Sequence, residues 1–183
     1  MNKKALYNIT YGLYLLSVRV DGKDNGCIIN TAAQVANDPT RVAISVIQKN
    51  LTHDMLKASG IFNISAISSD APFEVFKHFG MQSGRDVDKF LGYKDCAGAA
   101  NGIPYITKGI NAVMCCTVTE MFDLGSHTFF VATIDDMKVL SDADSATYAY
   151  YQSSIKPQPG KPADPADGAV WRCKICGYEY KEK

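Results

Sequence analysis

The 183-residue chain has no net charge, because 19 basic side chains are matched by 19 acidic ones. A protein that wraps nucleic acid needs a basic face to neutralise phosphates, so that class is excluded. A local basic pocket for one small phosphate ligand is not. The chain also lacks any apolar run approaching the ~20 residues that span a bilayer as a helix, so no membrane partner is expected. Neither a Walker-type nor a Gly-x-Gly-x-x-Gly pattern occurs, which removes the P-loop and the Rossmann site. Internal repeats are absent. Tryptophan occurs once and histidine three times. The opening Met1-Asn2-Lys3-Lys4 has the charge of a signal-peptide n-region, but Asn8, Thr10 and Gly12 interrupt the apolar stretch after it. No small-residue cleavage site appears, and the expectation is a cytoplasmic protein.

What is present is ordinary for a soluble globular chain: 46% apolar and 21% charged residues. The length suggests one domain with a short appendage, since single cores usually run to ~100–200 residues. Of six cysteines, Cys27, Cys96, Cys115 and Cys116 stand in apolar surroundings, where buried free thiols are the plain explanation. Adjacent Cys115 and Cys116 on a strand point to opposite faces and do not pair with each other. Cys173 and Cys176 differ, because a tight Cys-x-x-Cys in a cytosolic chain reads as metal or redox chemistry. Before it, four of the seven prolines (Pro157, Pro159, Pro162 and Pro165) crowd into ten residues. Proline removes donors and fixes φ, so this stretch is a semi-rigid linker. The division predicted is a body over 1–155, a linker over 156–168 and a tail over 169–183.

The body reads mostly as strands: Gly12 to Val20, Cys27 to Val35, Arg41 to Gln48, Phe62 to Ile67, Ala112 to Met121 and Thr128 to Leu140. Asp21 to Gly26 reads as the turn of a hairpin. Asn111 to Met121 is apolar on both faces, which suits burial on both sides. Short helices fit at Thr52 to Ser59, with Gly60 as C-cap, and at Asp70 to Phe79, with Pro72 in its first turn. Six strands with small helical insertions predict a mainly β, antiparallel barrel.

Candidate chemistry gathers at a few turns. At Lys49-Asn50-Leu51-Thr52 a strand ends and a helix begins. Its first N–H groups and the positive end of its dipole make an anion site. Lys49, Asn50 and Thr52 add a cation, an amide and a hydroxyl, and the plain alternative is that Thr52 is only an N-cap. In Gly80 to Phe90, Arg85 and Lys89 can reach a phosphate from the other side, unless the loop is simply solvated. His127 opens a strand after Gly125-Ser126, where a lone histidine can be structural or catalytic.

Read together, these segments resemble the flavin reductase-like, FMN-binding split-barrel family. The likeness runs from Asn25-Gly26-Cys27-Ile28-Ile29-Asn30-Thr31 and Asp38-Pro39 through Lys49-Asn50-Leu51-Thr52, Gly84-Arg85-Asp86-Val87-Asp88-Lys89-Phe90 and Gly125-Ser126-His127-Thr128-Phe129-Phe130-Val131. It covers residues 5 to about 152, with Ala132 where the family usually has Gly. The resemblance implies an antiparallel split barrel and a homodimer with one FMN per subunit near the interface. Asn30, Thr31 and Ala32 would line the isoalloxazine edge, while Ser45, Lys49, Asn50 and Thr52 would hold the ribityl chain and phosphate. Lys89 would be the second phosphate cation. His127 would lie near the ring where a nicotinamide approaches, as the one catalytic candidate. Tyr148, Tyr150 and Tyr151 look like the aromatic segment that covers the flavin, Tyr150 as its contact, or are ordinary edge-packing tyrosines.

The tail, Trp171-Arg172-Cys173-Lys174-Ile175-Cys176-Gly177-Tyr178, looks like the opening knuckle of a rubredoxin. A flavin-reductase body followed by a rubredoxin resembles the high-molecular-weight rubredoxins of anaerobes. That arrangement implies hydride from NAD(P)H, a flavin, and single electrons delivered to a flavodiiron protein or another acceptor. Iron or zinc of rubredoxin type needs four thiolates, and Cys173 and Cys176 supply two. A truncated chain is the first expectation, with a relic tail or pairing of two tails across a dimer as alternatives. Three other functions compete with the NAD(P)H oxidoreductase: a flavoredoxin-type carrier, a flavin reductase releasing reduced flavin, and a metal-dependent interaction module.

Overall fold

Residues 2–157, 171–172 and 179–180 are described by a computed structural model. The first hairpin joins β1 (Tyr14–Val20) to β2 (Lys23–Ile29) through only two residues. Asp21 and Gly22 both have positive φ, 51° and 76°, the geometry whose twist matches flanking antiparallel strands. The turn expected over Asp21 to Gly26 is therefore shorter. Asp24 and Asn25 are strand residues, with Asp24 paired to Arg19 at 2.6 Å and Asn25 buried. Their polarity suggested a loop, but each has a partner within the fold.

The single returning arm expected over Cys27 to Val35 is two strands, β2 and then β3 (Ala32–Asn37). β4 (Thr40–Ile47), α1 (Leu51–Ser59), β5 (Ile61–Ile67), α2 (Phe73–Gly80), short β6 (Cys96–Gly98) and β7 (Pro104–Ile106), then β8 (Ile110–Asp123) and β9 (His127–Val139) come next in the chain. Seven strands form one sheet in the order β2-β1-β5-β8-β9-β4-β3, with every pairing antiparallel. Its two outermost strands are consecutive in the chain, separated only by Asn30 and Thr31. A sheet whose edges are joined by two residues has to curl until they approach. At the seam Ser45 N–H donates to Thr31 O at 3.3 Å, which carries the β3–β4 pairing one residue past Ala32. The architecture is thus mainly β, an antiparallel split barrel with short helices.

Alternate residues of the strands fill the interior: Leu16, Val18, Ile29, Ile44, Val46, Phe62, Ile64 and Phe130, with Met55 and Leu56 of α1 packed among them. A second cluster on the outer face sets Leu15 and Ile110 against Val75 and Phe79 of α2 and against Phe90 and Ile106. β8 is buried only in its first half, and Thr119 to Asp123 are exposed. The ladder with β5 stops at Thr117, so beyond it β8 pairs with β9 alone and its apolar residues meet solvent.

Helix ends obey local chemistry. Gly60, at φ 67°, ends α1 with its N–H on Leu56 O at 2.9 Å. Asn50, not Thr52, occupies the N-cap position of α1. Pro72 stands at the N-cap of α2, which starts at Phe73 and not at Asp70. After β9, helical residues Tyr148–Tyr150 and Tyr151–Ile155 dock through Tyr151, whose ring lies 4.5 Å from that of Phe76. Trp171–Arg172 pairs antiparallel with Glu179–Tyr180. Cys173 and Cys176 lie outside the described residues. Among those described, no helix is long and apolar enough to cross a membrane.

Candidate functional site

The first turn of α1 faces the Gln82-Ser83-Gly84 loop across a pocket of about 100 Å³, about three waters' worth of liquid volume. Lys49, Asn50, Leu51 and Thr52 form one wall, Gln82, Ser83 and Gly84 the other, and Asn25, Cys27 and Lys89 complete the lining. Leu51 and Thr52 are the first two residues of α1, whose N–H groups have no carbonyl four residues back inside the helix. Exposed Lys49 adds a solvated cation at the mouth.

Lys89 is a different cation. It is 2% exposed, and its ammonium donates to Gly26 O and Phe79 O, both at 2.8 Å. Phe79 O belongs to the last turn of α2, where carbonyls lack intrahelical partners. Two of three ammonium donors therefore brace β2 and cap α2. Burial pulls its pKa down, opposed by the charge of the Cys27 thiolate form. The same burial pushes the Cys27 thiol up, opposed by Thr52, Lys89 and Asn50.

Arg85 does not face the pocket as a free cation. It donates to Asp54 Oδ2 at 2.6 Å, bridging the loop to the first turn of α1. Arg85, and secondarily His53, holds the Asp54 carboxyl below its ordinary pKa. Buried His53 places Nδ1 3.1 Å from Asp54 Oδ1 and Nε2 2.8 Å from Thr128 Oγ1. The pocket helix is thereby tied to the start of β9.

The other predicted residues lie along the adjoining strands. Asn30, Thr31 and Ala32 sit at the barrel seam, with Ala32 opposite Ile44 and Thr31 O bonded to Ser45 N–H. Ser45 in turn stands opposite Phe129, and Ile47 opposite His127. β4 therefore runs from the seam past Ser45 to the pocket mouth at Lys49. Half-buried His127 does not line the pocket, and its Nδ1 lies 2.8 Å from Ser126 Oγ. Tyr150 is 42% exposed and does not line it either. Asn25, Cys27, Gln82 and Ser83 lie within the segments that carry the resemblance and the Gly80 to Phe90 cluster, but the sequence gives none of them a site role. The signal for two of them was the strand period, since Asn25 and Cys27 share the inward face of β2. Among the described residues no three His, Cys, Asp or Glu side chains group as a metal site.

The barrel with its two-residue seam thus carries, at the end of β4, a small pocket lined by two lysines and by the first N–H groups of α1. The flavin reductase like domain family matches residues 6–158, and the chain belongs to that family. It is 34% identical to the high molecular weight rubredoxin of Moorella thermoacetica, over 98% of this chain and 83% of that one. To the ferric-chelate reductase (NAD(P)H) of Archaeoglobus fulgidus it is 35% identical, over 82% of this chain and 89% of the relative. The NADH:FAD oxidoreductase of Streptomyces globisporus C-1027 superposes with a TM-score of 0.70 at 22% identity, covering 79% of this chain and 85% of that one. The chain is a flavin reductase-like flavoprotein.

Proposed function

We propose that the protein is an FMN-dependent oxidoreductase that accepts hydride from NAD(P)H and passes electrons to a redox partner such as a flavodiiron protein or a rubredoxin. The observation that carries the reading is the pocket: Lys49, the α1 N-terminus, the Thr52 hydroxyl and buried Lys89 converge on a space of phosphate size. A dianionic phosphate leaves water only where cations and N–H donors replace its hydration, and this donor set does so. The relative named for NAD(P)H supports the nicotinamide donor.

A flavin held here would supply the redox chemistry, two-electron acceptance from a hydride donor and single-electron release. The chain's own residues position it. Lys49, Asn50 and Thr52 would hold the phosphate, Ser45 the ribityl chain, and Asn30, Thr31 and Ala32 would offer backbone groups at the seam for the ring edge. His127 orients the incoming nicotinamide, and Tyr150 covers the ring. The work is placement of reactants within ~3–3.5 Å, so no nucleophile or general base is needed. Exposed Met121, Phe122 and Leu124, at 47%, 49% and 59%, give the β8–β9 hairpin an apolar face that fits a homodimer contact. Cys173 and Cys176 would provide two of the four thiolates of a rubredoxin-type iron or zinc site only where two further thiolates complete it. The setting is the cytoplasm, where such thiols stay reduced.

Anaerobic stopped-flow mixing of the FMN-loaded protein with NADH or NADPH tests the reading. Direct bleaching of the bound flavin is the expected result. Tight FMN binding without bleaching would mean a flavoredoxin-type carrier, and bleaching with rapid flavin loss a reductase supplying free reduced flavin.

A further inference from the structure

Asn25 sits on β2 under the first turn of α1, 2% exposed, and its Nδ2 donates to Thr52 Oγ1 at 3.0 Å. A hydroxyl has one proton and two lone pairs. With a lone pair held by the amide, the Thr52 proton is left to donate, and Thr52, itself 1% exposed, borders the pocket together with Cys27, whose thiolate form it also stabilises. The amide cannot turn away easily. A Cβ at Gly84 would lie 2.3 Å from Asn25 Oδ1 and 2.6 Å from Nδ2, so the bare backbone of Gly84 presses against the carboxamide. The opposite polarity, an acceptor facing Thr52, would draw the hydroxyl proton inward and leave lone pairs toward the anion.

We propose that Asn25, clamped by Gly84, is a positioning residue that sets the polarity of the Thr52 hydroxyl and so makes the pocket select a phosphorylated flavin. The proposal rests on the flavin reading of the pocket. Asn25 lines the pocket beside Thr52, and the effect proposed for it runs through the Thr52 hydroxyl. Its isostere Asp reverses the polarity and adds a negative charge to the lining, at nearly constant volume.

The test compares binding of FMN and of riboflavin, which lacks the phosphate, by fluorescence quenching on the full chain. The wild type binds FMN more tightly than riboflavin. Asn25→Asp lowers FMN affinity at least tenfold and leaves riboflavin affinity within twofold. Gly84→Ala shifts the preference the same way, and thermal melts show which variants are folded. If Asn25→Asp does not fold, the cycle of Asn25→Ala with Thr52→Val replaces it. The double variant then loses no more FMN affinity than Thr52→Val alone. Parallel losses for both flavins, additive losses in the cycle, or a folded Asn25→Asp that keeps its FMN preference would each overturn the proposal. Equal wild-type affinity for the two flavins would overturn the phosphate reading and the inference with it.

Discussion

Lys89→Met separates two roles that one cation can play. The ammonium makes two 2.8 Å hydrogen bonds, to Gly26 O and to the orphan carbonyl of Phe79 at the C-terminus of α2. Replacing it by an apolar chain of similar length leaves two buried acceptors unmet, at about 1–3 kcal/mol each. The favourable placement of a cation at a helix C-terminus is lost as well, about 0.3–1 kcal/mol. Against this, Met avoids the desolvation that pulls the lysine pKa down. The unmet carbonyls dominate, because both partners that remain are polar and enclosed, and the net loss is about 2–4 kcal/mol. For a body of this size that lowers Tm by about 5–15 °C. The assay is thermal unfolding by circular dichroism without flavin, with Lys49→Met as the comparison. Lys49 is exposed, so its variant melts within about 2 °C of wild type while losing FMN affinity. A Lys89→Met protein that melts like wild type would refute the bracing role.

The Asp54–Arg85 pair predicts a pH dependence. Arg85 lowers the folded-state pKa of Asp54, so its contribution is fully present above the ordinary carboxylate value of about 3.9 and disappears as pH falls through the lower folded value. The carboxylate is half exposed, so Asp54→Asn costs less than about 1 kcal/mol at neutral pH, and urea unfolding should show the two proteins converging in acid. Among the described cysteines, half-buried Cys96 reacts first with a thiol reagent under mildly alkaline conditions. Cys27 stays unlabelled because burial raises its pKa, and Cys116 because burial, with Asp135 and Cys115 adding to it, pushes it to about 12. Peptide mass spectrometry reads the order, and early labelling of Cys116 would contradict the packing.

Much of the barrel was legible in the sequence. β1, β4, β5 and α1 announce themselves by apolar period and by Gly60, and these signals are local. The division of β2 from β3 was not, because what makes Asn30–Thr31 a seam is the closing of a seven-stranded sheet, a tertiary event. Asp24 and Asn25 read as turn residues by composition, yet Arg19 pairs one and Thr52 accepts from the other. β8 kept its apolar character past Thr117, but its second neighbour ends there, and sequence period does not record where a neighbour stops. At the site, the wall formed by Lys49, Asn50 and Thr52 was visible because it lies at a strand-to-helix junction. Lys89 was visible as a cation in a loop, but its bonds to Gly26 O and Phe79 O span 63 and 10 residues and left no local trace. Asn25 keeps the strand period of β2, but its turn-like composition masks that signal and its bond to Thr52 spans 27 residues.

That this pocket binds the phosphate of a flavin is tested most directly by equilibrium titration of the purified chain with FMN, in the presence and absence of inorganic phosphate. The expected result is saturation near one FMN per chain (roughly one donor pocket each) and weakening of that binding by phosphate. No FMN binding, or binding that phosphate leaves untouched, would contradict it.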